Sequence, residues 1–509
     1  MIRSIRQSLA CVAALALAVS LSDCAVGPNF KRPTPPSDAG YGNAPSQGEI
    51  ATSPGTGGDR AVSEEIPGGD HAQRFVAEMD IPAQWWTLFQ SPKLNGLVEQ
   101  AIKGNPNMVA ARASLRQAHE LYLAERTTFW PTAQGSFDAQ RAKNAVGTIA
   151  NPTNLPQANP YYNLYTAQLN VSYMPDVFGG TRRAVEAARA QDDEARFQLE
   201  ATYLTLTSNV VVTAIAEASL RAQVTATQRL LELQHQITER VRKQRTVGTA
   251  SDLDVLNQES AEAQTAATLA PLQKQLGQTR DQLTALLGKL PSEEPADTFQ
   301  LDELTLPGDL PVSLPSKLVE QRPDIRQAEE NLHFASAEAG VAIADMLPQF
   351  AITGNLGSSA LDMKDLFKTG TGFWDVGASL TQTLFDAGAL LHKHRAADAA
   401  LDQAGAQYRA AVILACQNVA DTLRALQTDA AALKADAEAA HAAQAAFDLA
   451  RKQLDVGTVS FVAVMNAETT YQQAELTLVQ AQGNRYSDTA GLFQALGGGW
   501  WNRPKGSNL

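Results

Sequence analysis

The sequence predicts an α+β membrane protein in which each chain supplies four short β-strands and two very long helical hairpins, laid out as an internal two-fold repeat. Three observations predict it. The same landmarks recur at equal spacings in the two halves of the chain. Four stretches of about ten residues alternate apolar and polar side chains. Two helical runs of nearly seventy residues contain no proline.

The N-terminus reads as an export signal. Arg3 and Arg6 form a basic start. Leu9 to Leu21 is a 13-residue apolar run, short for a bilayer span and right for a signal core. Cys24 follows Leu21-Ser22-Asp23 and resembles a bacterial lipoprotein cleavage site, where the cysteine becomes the lipidated first residue. Asp23 departs from that pattern, in which this position is small and uncharged. Ala25 stands where an inner-membrane retention signal places aspartate, so outward sorting is expected. Residues 34–74 are rich in Pro, Gly, Ser and Asp and read as a flexible tether or a meandering surface segment.

Each half of the remaining chain reads as helix, strand, loop, strand and long hairpin. Asn105-Pro106-Asn107 and Pro131 bound the first leading helix, and Arg322-Pro323-Asp324 and Pro348 bound the second. Both proline spacings are 25 residues. Val247-Gly248-Thr249 matches Val456-Gly457-Thr458, and the run after each ends at Leu287-Gly288 or Leu496-Gly497, 40 residues beyond the turn glycine. Asn209-Val210 and Asn418-Val419 both stand 39 residues before that glycine. Pro106 and Pro323 suit a first helical turn, where the missing N–H has no partner to lose.

Strands follow Pro131 and Pro348. Leu169, Val171 and Tyr173 alternate with Gln168, Asn170 and Ser172. Phe350, Ile352 and Leu356 share one parity, while Thr353 and Asn355 hold the other. Trp374, Val376, Ala378 and Leu380 alternate with Asp375, Gly377, Ser379 and Thr381. The stretch after Pro131 is the weakest, with Ala133, Gly135 and Phe137 on one face. No stretch after the signal holds 18 consecutive apolar residues, so any membrane crossing falls to the strands. Four strands are too few for a barrel, which takes roughly eight, so closure requires several chains. Alternation alone also allows a soluble sheet with one wet face. Residues 141–163 and 358–372 connect paired strands as external loops.

Gly180 to Thr246 spans 67 residues with no proline and no internal glycine. As a helix it reaches about 100 Å. A matching run extends from Gly388 to Val456. Gly248 and Gly457 turn the chain back. Leu253, Leu256, Ser260, Ala263, Ala267 and Ala270 form a 3-4 seam on the first return helix, with Val462, Met465, Thr469, Gln472, Leu476 and Val479 at matching places on the second. Pro271 is expected to kink the first return helix. Residues 289–317 carry five prolines and link the two copies, and the tail from Gly497 reads as irregular.

Hydrophobic content of 44% and charged content of 19% exclude a disordered polyanion. A formal net charge of -13 argues against nucleic-acid binding, which needs a positive face. No Walker loop, dinucleotide fingerprint or zinc-protease motif is present. His392 and His394 are two apart on a helix and diverge, so they make a poor metal pair. Glu239 and Lys243 read as a solvated i to i+4 pair. Cys416 reads as a small buried apolar residue. The chain is expected to be no enzyme, with no catalytic residue, metal or cofactor apart from a covalent lipid at Cys24.

With these residues placed, a family resemblance emerges. Cys24-Ala25-Val26-Gly27-Pro28-Asn29-Phe30-Lys31-Arg32-Pro33 resembles the mature start of TolC-like outer membrane factor lipoproteins of the nodulation type. Trp85-Trp86, Phe89, Leu94, Leu97-Val98 and Asn105-Pro106 resemble the next landmark. Leu318-Val319-Glu320-Gln321-Arg322-Pro323-Asp324-Ile325 resembles the opening of the second copy. Pro348 with Thr353-Gly354 resembles its first strand, and Val247 to Leu256 the first hairpin tip. Together these cover essentially all of residues 24–500.

The resemblance implies a homotrimer with a shared twelve-stranded barrel in the outer membrane of a Gram-negative bacterium. A long α-helical barrel would continue it through the periplasm, with a mixed equatorial region. It implies the passive exit duct of a tripartite efflux system, exporting small molecules such as drugs or toxic compounds. The implied partners are outer-membrane lipid, a periplasmic adaptor protein and an inner-membrane resistance–nodulation–division transporter. Adaptor contacts would fall on the tips: Val247, Gly248, Thr249 and Ser251, and Val456, Gly457, Thr458 and Ser460. Some family channels carry an aspartate ring at the entrance; the matching positions here are Ala463 and Asn466. Asp252 and Asp254 are the other gate candidates, and equally suit helix capping. The expected divisions are 1–23 signal peptide, 24–84 lipid-anchored tether, 85–288 first repeat, 289–317 linker, 318–497 second repeat and 498–509 tail. A protein-secretion duct and a structural helical tether remain alternatives at this stage.

Overall fold

A computed structural model describes residues 25–36, 40–41, 48–50, 73–143, 161–295 and 300–503, with the side chains of 48–50 and 455 left aside. Cys24, the signal, most of the tether and residues 144–160 of the first strand connection lie outside the described residues. In chain order the elements are β1 (Gly48–Ile50), β2 (Gln73–Ala77), α1 (Pro92–Gly104), α2 (Pro106–Arg126), β3 (Thr132–Lys143), β4 (Tyr161–Tyr173), α3 (Gly180–Thr246) and α4 (Asp252–Leu286). They continue with β5 (Asp309–Val312), α5 (Pro315–Gln321), α6 (Pro323–Ala344), β6 (Gln349–Ala360), β7 (Gly372–Thr381), α7 (Ala389–Asp455) and α8 (Phe461–Ala495).

The expected prolines do their expected work. Pro92, Pro106, Pro315 and Pro323 each open a helix, and Pro131 and Pro348 directly precede β3 and β6. Ser91 caps α1 by accepting the Leu94 N–H at 3.3 Å. The outgoing helices α3 and α7 are each 67 residues long, and the returning helices α4 and α8 are each 35. Pro271 lies inside α4 without ending it. One stretch of α3 reaches a mean hydropathy of 1.2 over 18 residues, with 56% of it buried, so its apolar side chains serve packing.

The chain forms two compact units. The first comprises, among the described residues, 25–32, 116–143, 161–194 and Glu329–Gln407. Its centre is an antiparallel sheet in the order β3-β4-β6-β7. The N-terminal segment from Ala25 is strapped onto the same unit. Arg183, almost fully buried, donates from Nε to Val26 O at 3.1 Å and from Nη2 to Asn29 Oδ1 at 2.7 Å. Phe30 stacks on His333 at 4.3 Å, and Arg32 pairs with Glu329.

The second unit comprises Pro33–Leu115, Ala195–Ala328 and Tyr408–Leu509. Trp85, Trp86 and Phe89, on a short 3-10 turn, anchor its core. Trp85 stacks on Phe493 at 5.4 Å, and Phe89 meets Tyr486, whose hydroxyl donates to Leu304 O at 2.9 Å. A small sheet in the order β1-β2-β5 lies in this unit, so a piece of the expected tether is a strand.

Three more expectations differ from the structure. The start of the tail is structured: residues 500–502 form a 3-10 turn, Trp500 Nε1 donates to Gln321 O at 2.7 Å, and Arg503 pairs with buried Glu200. Partly covering two indoles and pairing Arg503 with buried Glu200 outweighs the freedom of a short glycine-rich segment. The return-helix seam also lies elsewhere. Leu253 and Leu256 are 65% and 62% exposed, while Val255, Gln258 and Thr265 are buried. The face that this chain covers is mixed, with Gln258 and Thr265 beside Val255, and the leucine face is left exposed. Glu239 is engaged by Arg242 at 2.6 Å rather than by Lys243, because the guanidinium also bridges Glu259 at 2.7 Å.

Candidate channel wall and docking tips

The four-stranded sheet sorts its side chains by face. Leu169 pairs across to Gly135 and Leu356, and Leu356 to Trp374. Val171 is opposite Ala133 and Gly354, Tyr173 opposite Ile352, and Phe350 opposite Leu380. Every apolar parity in the sequence therefore falls on one face, because side chains alternate strictly along a strand. The other face carries Gln134, Asn170, Asn355 and Asp375 in register. Asn355 donates to Asp375 at 3.0 Å, and the Thr166 and Ser359 hydroxyls meet at 3.2 Å. The outer strands of the sheet are β3 and β7. Just past β7, Leu384 and Phe385 are about nine-tenths exposed. After β4, Phe178 rests on Phe350 at 6.3 Å.

The two hairpin tips share one stereochemistry. Gly248 has φ +80° and Gly457 φ +76°, a left-handed turn that glycine adopts without strain. The Thr249 N–H donates to Gln244 O at 2.9 Å and the Gly248 N–H to Arg245 O at 3.0 Å. The Thr458 N–H donates to Gln453 O at 2.9 Å and the Gly457 N–H to Leu454 O at 3.0 Å. These paired bonds are Schellman caps. Ser251 and Ser460 then cap α4 and α8, accepting from the N–H groups of Asp254 and Ala463. Val247 and Val456 project outward, 74% and 72% exposed. Behind them, Ile237, Val241, Val255, Phe447 and Val464 form one apolar cluster that joins both hairpins.

The gate candidates have local occupations. Asp254 accepts from the Ser251 N–H at 2.9 Å and Oγ at 2.7 Å, which holds its carboxyl below the usual carboxylate range. Asp252 pairs with Arg245 across the tip. Asn466 is exposed on α8. His394 pairs with Asp398 at 3.4 Å, and among the described residues no cluster suits a metal ion. Cys416 is half-buried rather than fully so, and burial pushes its thiol pKa up, away from nucleophilic thiolate.

Sequence reasoning missed Glu468, which is 2% exposed and lies one turn above the apolar tip cluster. A lone Glu in a polar helix gives no sign of burial, and only an alignment of its position with buried Val464 could have found it.

Comparison with known proteins completes the description. A family model described as outer membrane efflux protein matches residues 97–289 and 314–498, well over half of the chain. The toluene efflux pump outer membrane protein TtgF of Pseudomonas putida is 28% identical over 489 residues, covering 96% of each chain. The pyoverdine export outer membrane protein OpmQ of Pseudomonas aeruginosa is 27% identical over 428 residues, covering 83% of this chain and 89% of its own. The outer-membrane channel OprN has the same fold at a TM-score of 0.81 and 26% identity, covering 94% of this chain and 100% of its own.

Proposed function

The chain belongs to the outer membrane efflux protein family, and from that premise we propose how it works as an exit duct. It is the outer-membrane channel component of an efflux pump, reaching into the periplasm. Three copies close a twelve-stranded barrel, and their long hairpins continue it as a helical tunnel. The two halves, 85–288 and 318–497, are copies of one plan; equal outgoing and returning helix lengths in both support this. The observation that carries the reading is the four-stranded sheet with one apolar and one polar face, bounded by β3 and β7. The apolar face meets lipid and the polar face water, and joining outer strands between copies satisfies the backbone groups that lipid cannot. The exposed second face of α4 gives neighbouring copies a surface to bury.

Cys24 carries the lipid. The residue after it, Ala25, packs closely on Gly179, where an added Cβ would lie 2.5 Å from Ala25 Cα, which supports a short path from the anchor to this unit. The tips at Val247–Ser251 and Val456–Ser460 receive a periplasmic adaptor, with a resistance–nodulation–division transporter supplying the energy. Exported cargo is small molecules such as drugs or toxic compounds, a reading supported by relatives named for toluene and pyoverdine export. The channel adds no chemistry of its own. Val456→Cys, coupled through a short thiol-to-amine linker in living cells, tests the docking. Capture of an adaptor or of such a transporter supports it; capture of an adaptor serving an ATP-driven exporter replaces efflux by secretion.

A further inference from the structure

The four helices near the tips are held by the apolar cluster of Ile237, Val241, Val255, Phe447 and Val464. One turn further from the tips, the packing becomes polar on three of the four helices. Gln234 on α3, Gln258 on α4 and Glu468 on α8 are all at least nine-tenths buried. Gln234 hydrogen-bonds the Glu468 carboxyl. Glu468 Oε1, Gln234 Oε1 and both side-chain polar atoms of Gln258 have no hydrogen-bond partner among the described residues. Buried polar atoms left this way carry their full desolvation cost, so hydration of this layer is unusually cheap to bring about.

We propose that Glu468 is a proton-operated latch between the two hairpins: neutral, it lets α8 pack against α3 and α4; ionised, it draws water into the polar layer and loosens the tips. This rests on the duct reading only for its consequence, a pH-dependent entrance.

The charges facing Glu468 do not neutralise it. From α7, Arg451 is the one cation that acts on it, with its guanidinium engaged over the Phe447 ring at 5.5 Å. Asp448 of the same helix faces Tyr471. From α3, Arg229 acts on Tyr471 and Glu475. From α4, the buried residues are the uncharged Val255, Gln258 and Thr265, while Glu262 is turned to His235 and Thr238. On its own helix, Glu475 is also pushed up by burial.

Burial pushes Glu468 up to about 7, against the opposing pull of Arg451. The packed state therefore holds its proton more tightly than an opened, hydrated state does. Packing is strongest below the ordinary carboxylate range and weakens as pH climbs from there through about 7. The ionised fraction rises from roughly a tenth at pH 6 to roughly nine-tenths at pH 8.

The test is hydrogen exchange on the full-length protein in detergent, comparing wild type with Glu468→Gln in identical buffers, so that the intrinsic pH dependence cancels. Amides of 461–475 should exchange alike in the two proteins at pH 6 and several-fold faster in wild type at pH 8. Equal exchange at pH 8 overturns the latch. Planar-bilayer conductance is read beside it. Wild-type opening should rise several-fold from pH 6 to pH 8 and stay flat in Glu468→Gln; an identical rise in both overturns the latch. Absence of current in either protein at any pH would sink the duct reading instead, and the exchange result would still decide the latch.

Discussion

At the residue scale, the most consequential side chains are charges taken out of water. Arg503 closes the structured start of the tail by pairing with Glu200 and lying 4.1 Å over the Tyr203 ring. Burial raises the Glu200 pKa even with the guanidinium opposing it. Arg503→Ala leaves that carboxylate buried and unpaired, which costs roughly 3 kcal/mol. Thermal unfolding should show a clear drop, with recovery when Glu200→Gln is added. The N-terminal strap depends instead on close backbone approach. Gly27 sits at φ +90°, and a Cβ there would lie 2.5 Å from Gly340 Cα. Gly27→Ala should cost about 2 kcal/mol locally and free the strap. Trypsin should then cut after Lys31 faster than in wild type, with no change in overall melting.

At the element scale, the two faces of the sheet should respond oppositely to one charge. Val171→Arg, on the apolar face, should cost roughly 2–4 kcal/mol of insertion into vesicles. Asn170→Arg, one residue away on the polar face, should insert normally and shift the channel toward anions. Equal insertion of the two would remove the membrane role of the sheet. Much of this was legible in the sequence. Strand parity showed in Leu169, Val171 and Trp374, and helix length in the missing prolines. Glycine at 248 and 457 marked the tips, because a left-handed turn leaves a residue-type signature. The contact face of α4 within the chain was not legible because Gln258 and Thr265 are polar, and apolar periodicity marks only the leucine face that its own chain leaves exposed. The gate stayed open because Asp252 and Asp254 suit capping and charge equally, and capping wins for Asp254 through Ser251. Glu468 was illegible, since burial of a carboxylate depends on neighbours far along the chain.

At the scale of the whole molecule, the proposed assembly turns on the outer strands β3 and β7. A lone sheet in lipid would leave a ladder of backbone groups without partners, each costing several kcal/mol. One cysteine placed on β3 and one on β7 should therefore join different copies, never the two ends of one chain. The oxidised product should run as a covalent three-chain species, and a two-chain limit would exclude the twelve-stranded barrel. Phe385, exposed after β7, should become protected in the same assembly. The proposed trimer had no residue-level signature; counting strands required several copies, and the number three came from the family resemblance.

The equal lengths of α3 and α7 have a consequence for how such a molecule can change. Each is a gauge of 67 residues, and both deliver their tips to one shared cluster. Inserting a single heptad into one would carry its tip about 10 Å past the other and tear Val241 from Phe447. Reach can be altered only by matched edits to all four helices. The reach of the hairpins is thus written into the chain twice, and each copy proofreads the other.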